Sequence, residues 1–321
     1  MSRFAAEQLE TFAAVLSEGT LDAAARTLHI TPSAVSQRLK SLEHAAGRVL
    51  LQRSNPVRAT EAGEVVLRLA RQSAQLELDA ATALGLPGEK SGQNLPLVVN
   101  ADSLAVWFLK ALARVPRELQ VTFDIHRDDE QHSTDLLRSG TVMAAVTATP
   151  HAVQGCSVQG LGVMRYLPVA SPNFVAHWLP DGVNAQSLTA APAVDYDRKD
   201  KYQQQFLTTL GPVTVGSVTL ESEGQTDTGE SAQAPAQPAG PRHHVPATQD
   251  FADAIRLGLG WGLIPEQQCG PDLANGTLVE LRPGHVFDVP LYWQRWRISS
   301  TVLDILSETV RQTAAEILRP I

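Results

Sequence analysis

The sequence predicts an all-α domain at the N-terminus, a long connecting helix, and a C-terminal α/β domain. Three observations indicate this. Apolar residues recur at helical spacing over residues 4–84. Short apolar strands alternate with helical segments beyond residue 97, and a segment rich in glycine, proline and serine at 85–92 separates the two patterns as a hinge. A chain of 321 residues is long enough for about two domains with separate cores.

Composition narrows the class of protein. Hydrophobic residues make up 43% and charged residues 19% of the chain, which is ordinary for a globular protein in water. No apolar run reaches about 18 residues, and the N-terminus lacks the pattern of an export signal, so we expect a cytoplasmic protein without a membrane span. Cys156 and Cys269 lack the spacing of metal ligands, which predicts two free buried thiols and no metal site.

Residues 19–42 predict two short helices joined by a tight turn. Thr31 is placed as the N-cap of the second helix, and Pro32 at its first position, where a missing N–H costs nothing. The buried face of this helix is predicted to comprise Val35, Leu39 and Leu42. Its opposite face carries short hydrogen-bonding side chains and cations, which a helix needs to read base edges and bind phosphates in a major groove. The alternative is a generic helical hairpin with a solvated polar face.

A turn at Asn55 and Pro56 between two short apolar strands predicts a hairpin wing. The N-terminal domain is therefore predicted to be a winged helix-turn-helix. Its predicted DNA contacts are Thr31, Pro32, Ser33, Ser36, Gln37, Arg38, Lys40, Arg53 and Arg58. The net charge of −8 is unfavourable for DNA binding, but between residues 26 and 58 six cationic residues against one anion give a local charge of +5.

From residue 62 the sequence predicts one long helix that ends near residue 84. Small and apolar residues recur in it at spacings of four and three, the pattern of a helix that pairs with a second helix. Packing against the rest of the same chain would give a similar pattern. Paired half-sites in DNA favour dimerisation, and the predicted dimer seam comprises Val66, Leu69, Ser73 and Leu76.

The second domain is predicted to be α/β with mostly parallel sheets, because strands and helices alternate. Helices are predicted from residue 102 or 103 to 113, at 134–139 and at 301–318. Strands are predicted at 97–101, 121–125, 142–147, 193–196, 213–219, 243–245, 262–264, 278–281 and 291–293. Residues 221–241 contain four acids and no aromatic residue, leucine, isoleucine or valine, which predicts a disordered insertion; a regulatory loop is the alternative.

Two stretches of the first domain carry a family resemblance. AAARTLHITPSAVSQRLKSLE at 23–43 and GRVLLQRSNPVRATEAG at 47–63 resemble the DNA-binding half of LysR-type transcriptional regulators. Three stretches of the second domain resemble the branch that senses arginine and lysine and controls basic amino-acid export. They are NADSLAVWFL at 100–109, DYDRKDKYQQQFL at 195–207 and HHVPATQDFADAIRLGLGWGLIP at 243–265. Apart from the insertion, the resemblance covers nearly the whole chain.

The resemblance implies an architecture and partners. It implies a DNA-binding domain at 1–62, a linker helix and hinge at 63–92, and an effector domain at 93–321 that resembles periplasmic binding proteins. The effector domain would have two subdomains, 93–168 with 288–321 and 169–287, on either side of a cleft. The implied partners are a double-stranded DNA operator, a second copy of the chain in a homodimer or tetramer, and RNA polymerase.

The predicted effector is L-lysine or L-arginine, and the predicted response is activation of an exporter gene. Polar residues that follow predicted strands could hold its carboxylate and amino group, and acids near the same sheet edges could bind its cationic side chain. The predicted contacts are Asp102, Ser103, Asp128, Asp129, Glu130, Thr147, Asp195, Asp197 and Thr248. For single residues, a helix cap or a solvated acid remains the alternative.

An enzyme is the rival class. The nine histidines lack the spacing of HExxH metal sites, GxSxG is absent, and Gly258, Gly260 and Gly262 lack the lysine that ends a phosphate-binding loop. We therefore predict no catalytic residues and no cofactor. A LysR-type regulator with a different small-molecule effector is the other alternative.

Overall fold

The computed structural model describes residues 3–52, 54–84, 94–127, 130–210, 214–215, 218–219 and 240–321. The chain divides into two compact units. The first comprises Met1–Gly162 and Leu291–Ile317, and the second comprises Val163–Pro290 and Leu318–Ile321. In the described ranges, every helix is too short or too polar to cross a membrane. The predicted hinge at 85–92 lies outside the described residues, as does all of the predicted insertion except Gly240 and Pro241. The predicted domain limits stay predictions.

The first unit begins with the predicted winged helix-turn-helix. Its elements are α1 (Ala6–Glu18), α2 (Leu21–Thr27), α3 (Pro32–Ala46), β1 (Leu51–Gln52), β2 (Arg58–Ala59) and the long α4 (Glu61–Ala83). The side chains of Thr20 and Thr31 each accept a hydrogen bond from the backbone N–H three residues on, which fixes where α2 and α3 begin. The helices close on Phe12, Val15, Val35 and other fully buried residues. The predicted fold of this part is confirmed.

The first unit continues with a mixed sheet and flanking helices. Its further elements are β3 (Asn94–Val99), α5 (Ala101–Ser103), a π-helical turn (Leu104–Phe108), α6 (Leu109–Leu112), a 3-10 turn (Arg117–Leu119), β4 (Thr122–Arg127), α7 (Glu130–Arg138) and β5 (Ala144–Thr147). β3 pairs in parallel with β4 and with β5. The far end of the chain adds the last part of β13 (Phe287–Trp296), antiparallel to β5, and α13 (Thr301–Ile317).

The second unit is also α/β. It contains the end of β6 (Cys156–Ala170), then α8 (Pro172–Trp178), α9 (Ala185–Ala190), β7 (Ala193–Asp195), α10 (Tyr202–Thr209), β8 (Thr214–Val215), β9 (Val218–Thr219), β10 (Arg242–His244), α11 (Thr248–Arg256), β11 (Gly262–Pro265), α12 (Glu266–Asn275) and β12 (Val279–Glu280). β7 and β10 pair in parallel, whereas β11 and β12 both run antiparallel to β6. Phe251, Ile255 and Ile264 are among the buried residues of its core.

The α/β class is confirmed, but three details differ from prediction. The 15-residue strand β6 was not predicted, because glycines and a proline interrupt its alternation of buried and exposed positions. The sheets are mixed rather than mostly parallel, because β6, β11, β12 and β13 form antiparallel pairs. The predicted strand at 213–219 contains the two short antiparallel strands β8 and β9.

Candidate functional site

The exposed face of α3 is built as its sequence predicts. Thr31, Ser33 and Gln37 are exposed and Ser36 is half-buried, while the apolar face of the helix is buried in the core. The Thr31 hydroxyl accepts a hydrogen bond from Ala34 N at 3.2 Å and lies 2.9 Å from the Ser33 hydroxyl. Pro32 and Lys40 are also exposed. Hydroxyl, amide and ammonium groups therefore share one solvent-facing surface, as DNA readout requires.

Arg38 is held by the chain itself. Its Nη2 lies 2.8 Å from Glu7 Oε2, and its Nη1 donates to the Thr11 hydroxyl at 3.3 Å. The Glu7 carboxylate therefore offsets the positive charge that was expected to face DNA. A DNA contact by Arg38 stays a prediction, and it would require this guanidinium to be shared with Glu7 or released from it.

The wing is anchored to the helices by hydrogen bonds that its backbone N–H groups donate. Glu43 Oε1 accepts a hydrogen bond from Leu50 N at 2.8 Å, and Val57 N donates to Gly19 O at 2.9 Å. Arg58 is exposed on β2, opposite Gln52 in register. The hairpin is confirmed, and it places Arg58 on the solvent side of the wing. Arg53 lies outside the described residues.

The predicted dimer seam on α4 needs a correction. Val66 is 7% exposed and packs in the core of its own chain with Leu67 and Ala70, so it is not available to a second copy. The apolar residues that α4 leaves exposed include Val65, Leu69 and Leu76, at 58%, 41% and 45% exposure. Ser73 is half-buried. The exposed apolar face therefore begins at Val65 rather than at Val66, and a dimer contact by Leu69, Ser73 and Leu76 stays a prediction.

In the first unit, Ser103 has the clearest features of a binding residue. It follows β3 and is fully buried, yet its hydroxyl has no hydrogen-bond partner among the described residues. The Asn100 side chain already accepts a hydrogen bond from Ser103 N at 3.1 Å and so caps the helical segment. Asp102 is half-buried beside it. A buried hydroxyl without a partner is costly, and such exceptions often mark functional sites.

Other predicted contacts in this unit have different environments. The Thr147 hydroxyl accepts a hydrogen bond from Gln294 Nε2 at 3.3 Å, and that amide also bonds the backbone oxygens of Thr149 and His151. Thr147 is therefore engaged by its own chain. Glu130 is the first residue of α7. Asp128 and Asp129 lie outside the described residues.

In the second unit, Asp195 is already paired with an arginine. Arg242 Nη1 lies 2.9 Å from Asp195 Oδ1 and 3.2 Å from Oδ2, and the two side chains are only 17% and 10% exposed. Burial raises the pKa of Asp195 to about 6, and the Arg242 guanidinium acts in the opposite direction. This carboxylate is ionised at pH 7 with its charge offset by Arg242.

Asp197 and Asp200 hold the loop after β7. Asp197 Oδ1 accepts hydrogen bonds from Lys199 N at 2.7 Å and Asp200 N at 3.0 Å. Asp200 accepts from Tyr196 N at 2.8 Å and Tyr202 N at 2.9 Å, and burial raises its pKa. Each of these acids already has bonds within the chain, and a contact between Asp197 and the effector stays a prediction.

Thr248 stands at N1 of α11, after the N-cap Ala247. Its carbonyl oxygen accepts a hydrogen bond from Gln268 Nε2 at 3.3 Å.

Sequence reasoning missed Asn100, Asp200 and Arg242. Asn100 was visible as a cap at the end of a strand, whereas the pairing of Arg242 with a residue 47 positions away left no local signal.

Both cysteines are free and buried, as predicted. Burial raises the pKa of Cys156 to about 11 and that of Cys269 to about 12, so both thiols stay protonated at neutral pH. In the described part of the chain, histidine, cysteine and acidic side chains form no group of three that could hold a metal ion.

Comparisons with known proteins agree with this architecture. Residues 6–64 match the model of the bacterial regulatory helix-turn-helix protein, lysR family. The HTH-type transcriptional regulator LysG of Mycobacterium tuberculosis is 40% identical over 312 residues, which cover 97% of this chain and 94% of that protein. The lysine export transcriptional regulatory protein LysG of Corynebacterium glutamicum is 38% identical over 315 residues, 98% of this chain and 99% of that one.

A solved structure extends the similarity to three dimensions. Full-length LysG of Corynebacterium glutamicum with bound effector Arg superposes with a TM-score of 0.77 at 35% identity, covering 99% of this chain and 100% of that one. These relatives are transcriptional regulators, which confirms the prediction of a regulator rather than an enzyme. The chain belongs to the LysR family of bacterial helix-turn-helix transcriptional regulators.

Proposed function

We propose that this DNA-binding regulator senses a basic amino acid, L-lysine or L-arginine, and activates a gene for basic amino-acid export. One relative supports the ligand class, by its name and by its solved structure. The Corynebacterium glutamicum relative is named for lysine export, and its solved structure holds the effector Arg. A regulator of the same family with another small-molecule effector is the competing function, and a binding measurement separates the two.

The buried Ser103 hydroxyl is the observation that carries the effector proposal. A buried hydroxyl without a partner lowers the stability of the free protein. A ligand that accepts its hydrogen bond removes this cost, which favours binding. A carboxylate of an amino acid is such an acceptor, and hydrogen bonds to charged groups are the stronger ones. We propose further contacts by Asp102, Asp128, Asp129, Glu130 and Thr147 in the first unit and by Asp195, Asp197 and Thr248 in the second.

The proposed assembly is a homodimer formed through the exposed apolar residues of α4, with a tetramer as the higher state and RNA polymerase as a further partner. Val65, Leu69 and Leu76 lie at the spacing of one helix face, and an exposed apolar stripe on a long helix is stabilised when a second helix covers it. In this proposal α3 and the wing bind operator DNA in the cytoplasm, with base contacts from Gln37 and Ser33.

Isothermal titration calorimetry tests the effector proposal. Lysine, arginine, leucine and glutamate are titrated into the wild type, Ser103→Ala and the control Ser300→Ala, which removes a buried hydroxyl whose oxygen already accepts from Leu303 N. We expect lysine or arginine to bind the wild type and the control alike. Ser103→Ala should bind about tenfold more weakly, because one hydrogen bond to a charged group is lost.

Stability measurements separate a binding role of Ser103 from a structural one. Removing a hydroxyl that has no partner within the described part of the chain should leave the thermal midpoint unchanged or raise it. Ser300→Ala should lower the midpoint, because a helix cap is lost. Equal binding of leucine and lysine, or no heat from either basic amino acid at millimolar concentration, would contradict the proposed effector.

A further inference from the structure

The linker helix α4 carries a stripe of polar residues that its own chain partly buries. The stripe comprises Arg68, Arg71, Gln75 and Asp79, at spacings of three and four, on the side away from both the core face and the exposed apolar face. Gln75 is only 7% exposed, and it donates to Asp79 Oδ1 at 2.9 Å. Burial lowers the pKa of the Arg71 guanidinium. Polar helix faces normally stay in water, so the partial burial of this polar stripe indicates a docking contact.

The docking contact is close at Arg68. A Cβ atom added to Gly140 would lie 2.8 Å from Arg68 Cα, nearer than real Cβ atoms approach their neighbours. Gly140 also has φ of +75°, which favours glycine. On the other side, Arg68 Nη1 donates a hydrogen bond to Gln154 O at 2.9 Å. The segment after α7 therefore touches the backbone of the linker helix directly.

Helix α7 connects this contact to the proposed effector residues. It begins at Glu130, which we propose as an effector contact, and ends at Arg138, two residues before Gly140. Its nine residues span about 13 Å. Leu137 is fully buried, and α7 packs on β5, so the helix is held to the sheet. Close-packed atoms transmit displacements rather than absorb them.

We propose that α7 couples effector binding to the linker helix through the contact of Gly140 and Gln154 with Arg68. A shift of the N-terminal end of α7 on binding would change the position of Gly140 against α4. Because Val66 and Leu67 of α4 pack in the same core as α3, the pose of α4 sets that of α3. The effector site and the DNA-binding surface are then coupled, because both affect the position of α4. This inference rests on the proposed effector function.

Hydrogen exchange of the full chain, measured by mass spectrometry with and without arginine, tests the coupling. In the wild type, arginine should slow exchange in peptides from 130–142 and change it in peptides from 68–80. Arg68→Ala removes the bond to Gln154 O. Without arginine, it should speed exchange in 68–80 about fivefold, as expected for the loss of one local contact. With arginine, its 130–142 peptides should still respond, but its 68–80 peptides should not.

Two glycine variants provide a matched pair. Gly140→Ala and Gly284→Ala both place a methyl group at a positive φ, +75° and +84°, but only the first meets another part of the chain within 4 Å. Gly140→Ala should speed exchange in 68–80, and Gly284→Ala should leave it unchanged. Equal rates in both variants would overturn the docking contact.

The outcomes separate the coupling from the effector proposal. If calorimetry shows arginine binding while 68–80 does not respond, or responds equally in the wild type and Arg68→Ala, the coupling is wrong. If neither lysine nor arginine produces heat, the effector proposal fails. The exchange rates without ligand then still decide whether the Arg68 contact exists, since unchanged rates in Arg68→Ala would overturn it.

Discussion

Replacing Arg242 with glutamine should destabilise the protein in a way that depends on pH. The change leaves the Asp195 carboxylate, 10% exposed, without its cationic partner. Removing one partner of a buried ion pair costs about 3 kcal/mol or more, because the remaining charge is poorly solvated. We expect the free energy of unfolding to fall by about that amount at pH 8, where Asp195 is ionised.

The pH dependence has a definite sign. In the wild type, the folded state holds the Asp195 proton with a pKa of about 6, against an ordinary value of 3.8, so its contribution to stability falls as the pH rises through that interval. Loss of Arg242 raises this pKa further, because the guanidinium favours the ionised form. Each unit by which the pKa of Asp195 rises corresponds to about 1.4 kcal/mol of destabilisation. This destabilisation is present when the carboxylate is ionised and disappears when it is protonated. The destabilisation should therefore shrink between pH 8 and pH 5.5.

Urea denaturation followed by circular dichroism at both pH values measures this effect. Arg165→Gln is the matched control in the same unit, since its pair with Asp288 has side chains 29% and 38% exposed. Exposed pairs contribute about 1 kcal/mol or less, so the control should change little at either pH. An Arg242→Gln variant that is no less stable than the control at pH 8, or a penalty that persists at pH 5.5, would refute the buried charge pair.

Three further changes test DNA binding and dimerisation. Gln37→Ala should cost about 1–3 kcal/mol of operator preference in gel-shift titrations if its amide reads adenine, and unchanged specific binding would show that the register of α3 in the groove is wrong. Leu69→Glu with Leu76→Glu should give monomers by light scattering, because four like charges would meet in an apolar seam; a persistent dimer would exclude this seam. Glu7→Gln should strengthen DNA binding and steepen its salt dependence by about one phosphate, because Arg38 loses its competing carboxylate; an unchanged salt slope would place Arg38 off the DNA.

The parts of the fold that sequence predicted are those with local signals. Thr31 and Pro32 mark the start of α3, and Gly47, with φ of +67°, follows its end. These signals act within a few residues, so they are readable without tertiary structure. The prediction placed Val66 in a dimer seam, whereas it packs in the core of its own chain, because helical spacing gives the period of a face but not which neighbour covers it.

The parts that sequence missed depend on distant contacts. Asp195 and Arg242 meet because β7 and β10 pair in parallel across the segment that was predicted to be an insertion. Counting the acids in the sequence overestimates the local negative charge, because Arg242, 47 residues away, neutralises Asp195. The Ser103 hydroxyl was predicted as a ligand donor from its place after a strand, but that it lacks a partner within the described ranges is visible only in three dimensions.

The number of acids in the second unit therefore overstates the negative charge that is available to a cationic ligand. Asp195 is offset by Arg242, and Asp200 is committed to Tyr196 N and Tyr202 N. Asp197 is the half-buried acid whose second oxygen can still serve a cation, since Oδ1 holds the turn.

Asp197→Asn separates the charge of this residue from its structural role. The amide oxygen can accept the same two backbone hydrogen bonds, so the turn and the thermal midpoint should be preserved. If the carboxylate pairs with the side chain of lysine or arginine, calorimetry should show about fivefold weaker binding, equivalent to roughly 1 kcal/mol for a partly solvated pair. Unchanged affinity with an unchanged midpoint would assign Asp197 to the turn alone and shift the search for the cation's partner to the first unit.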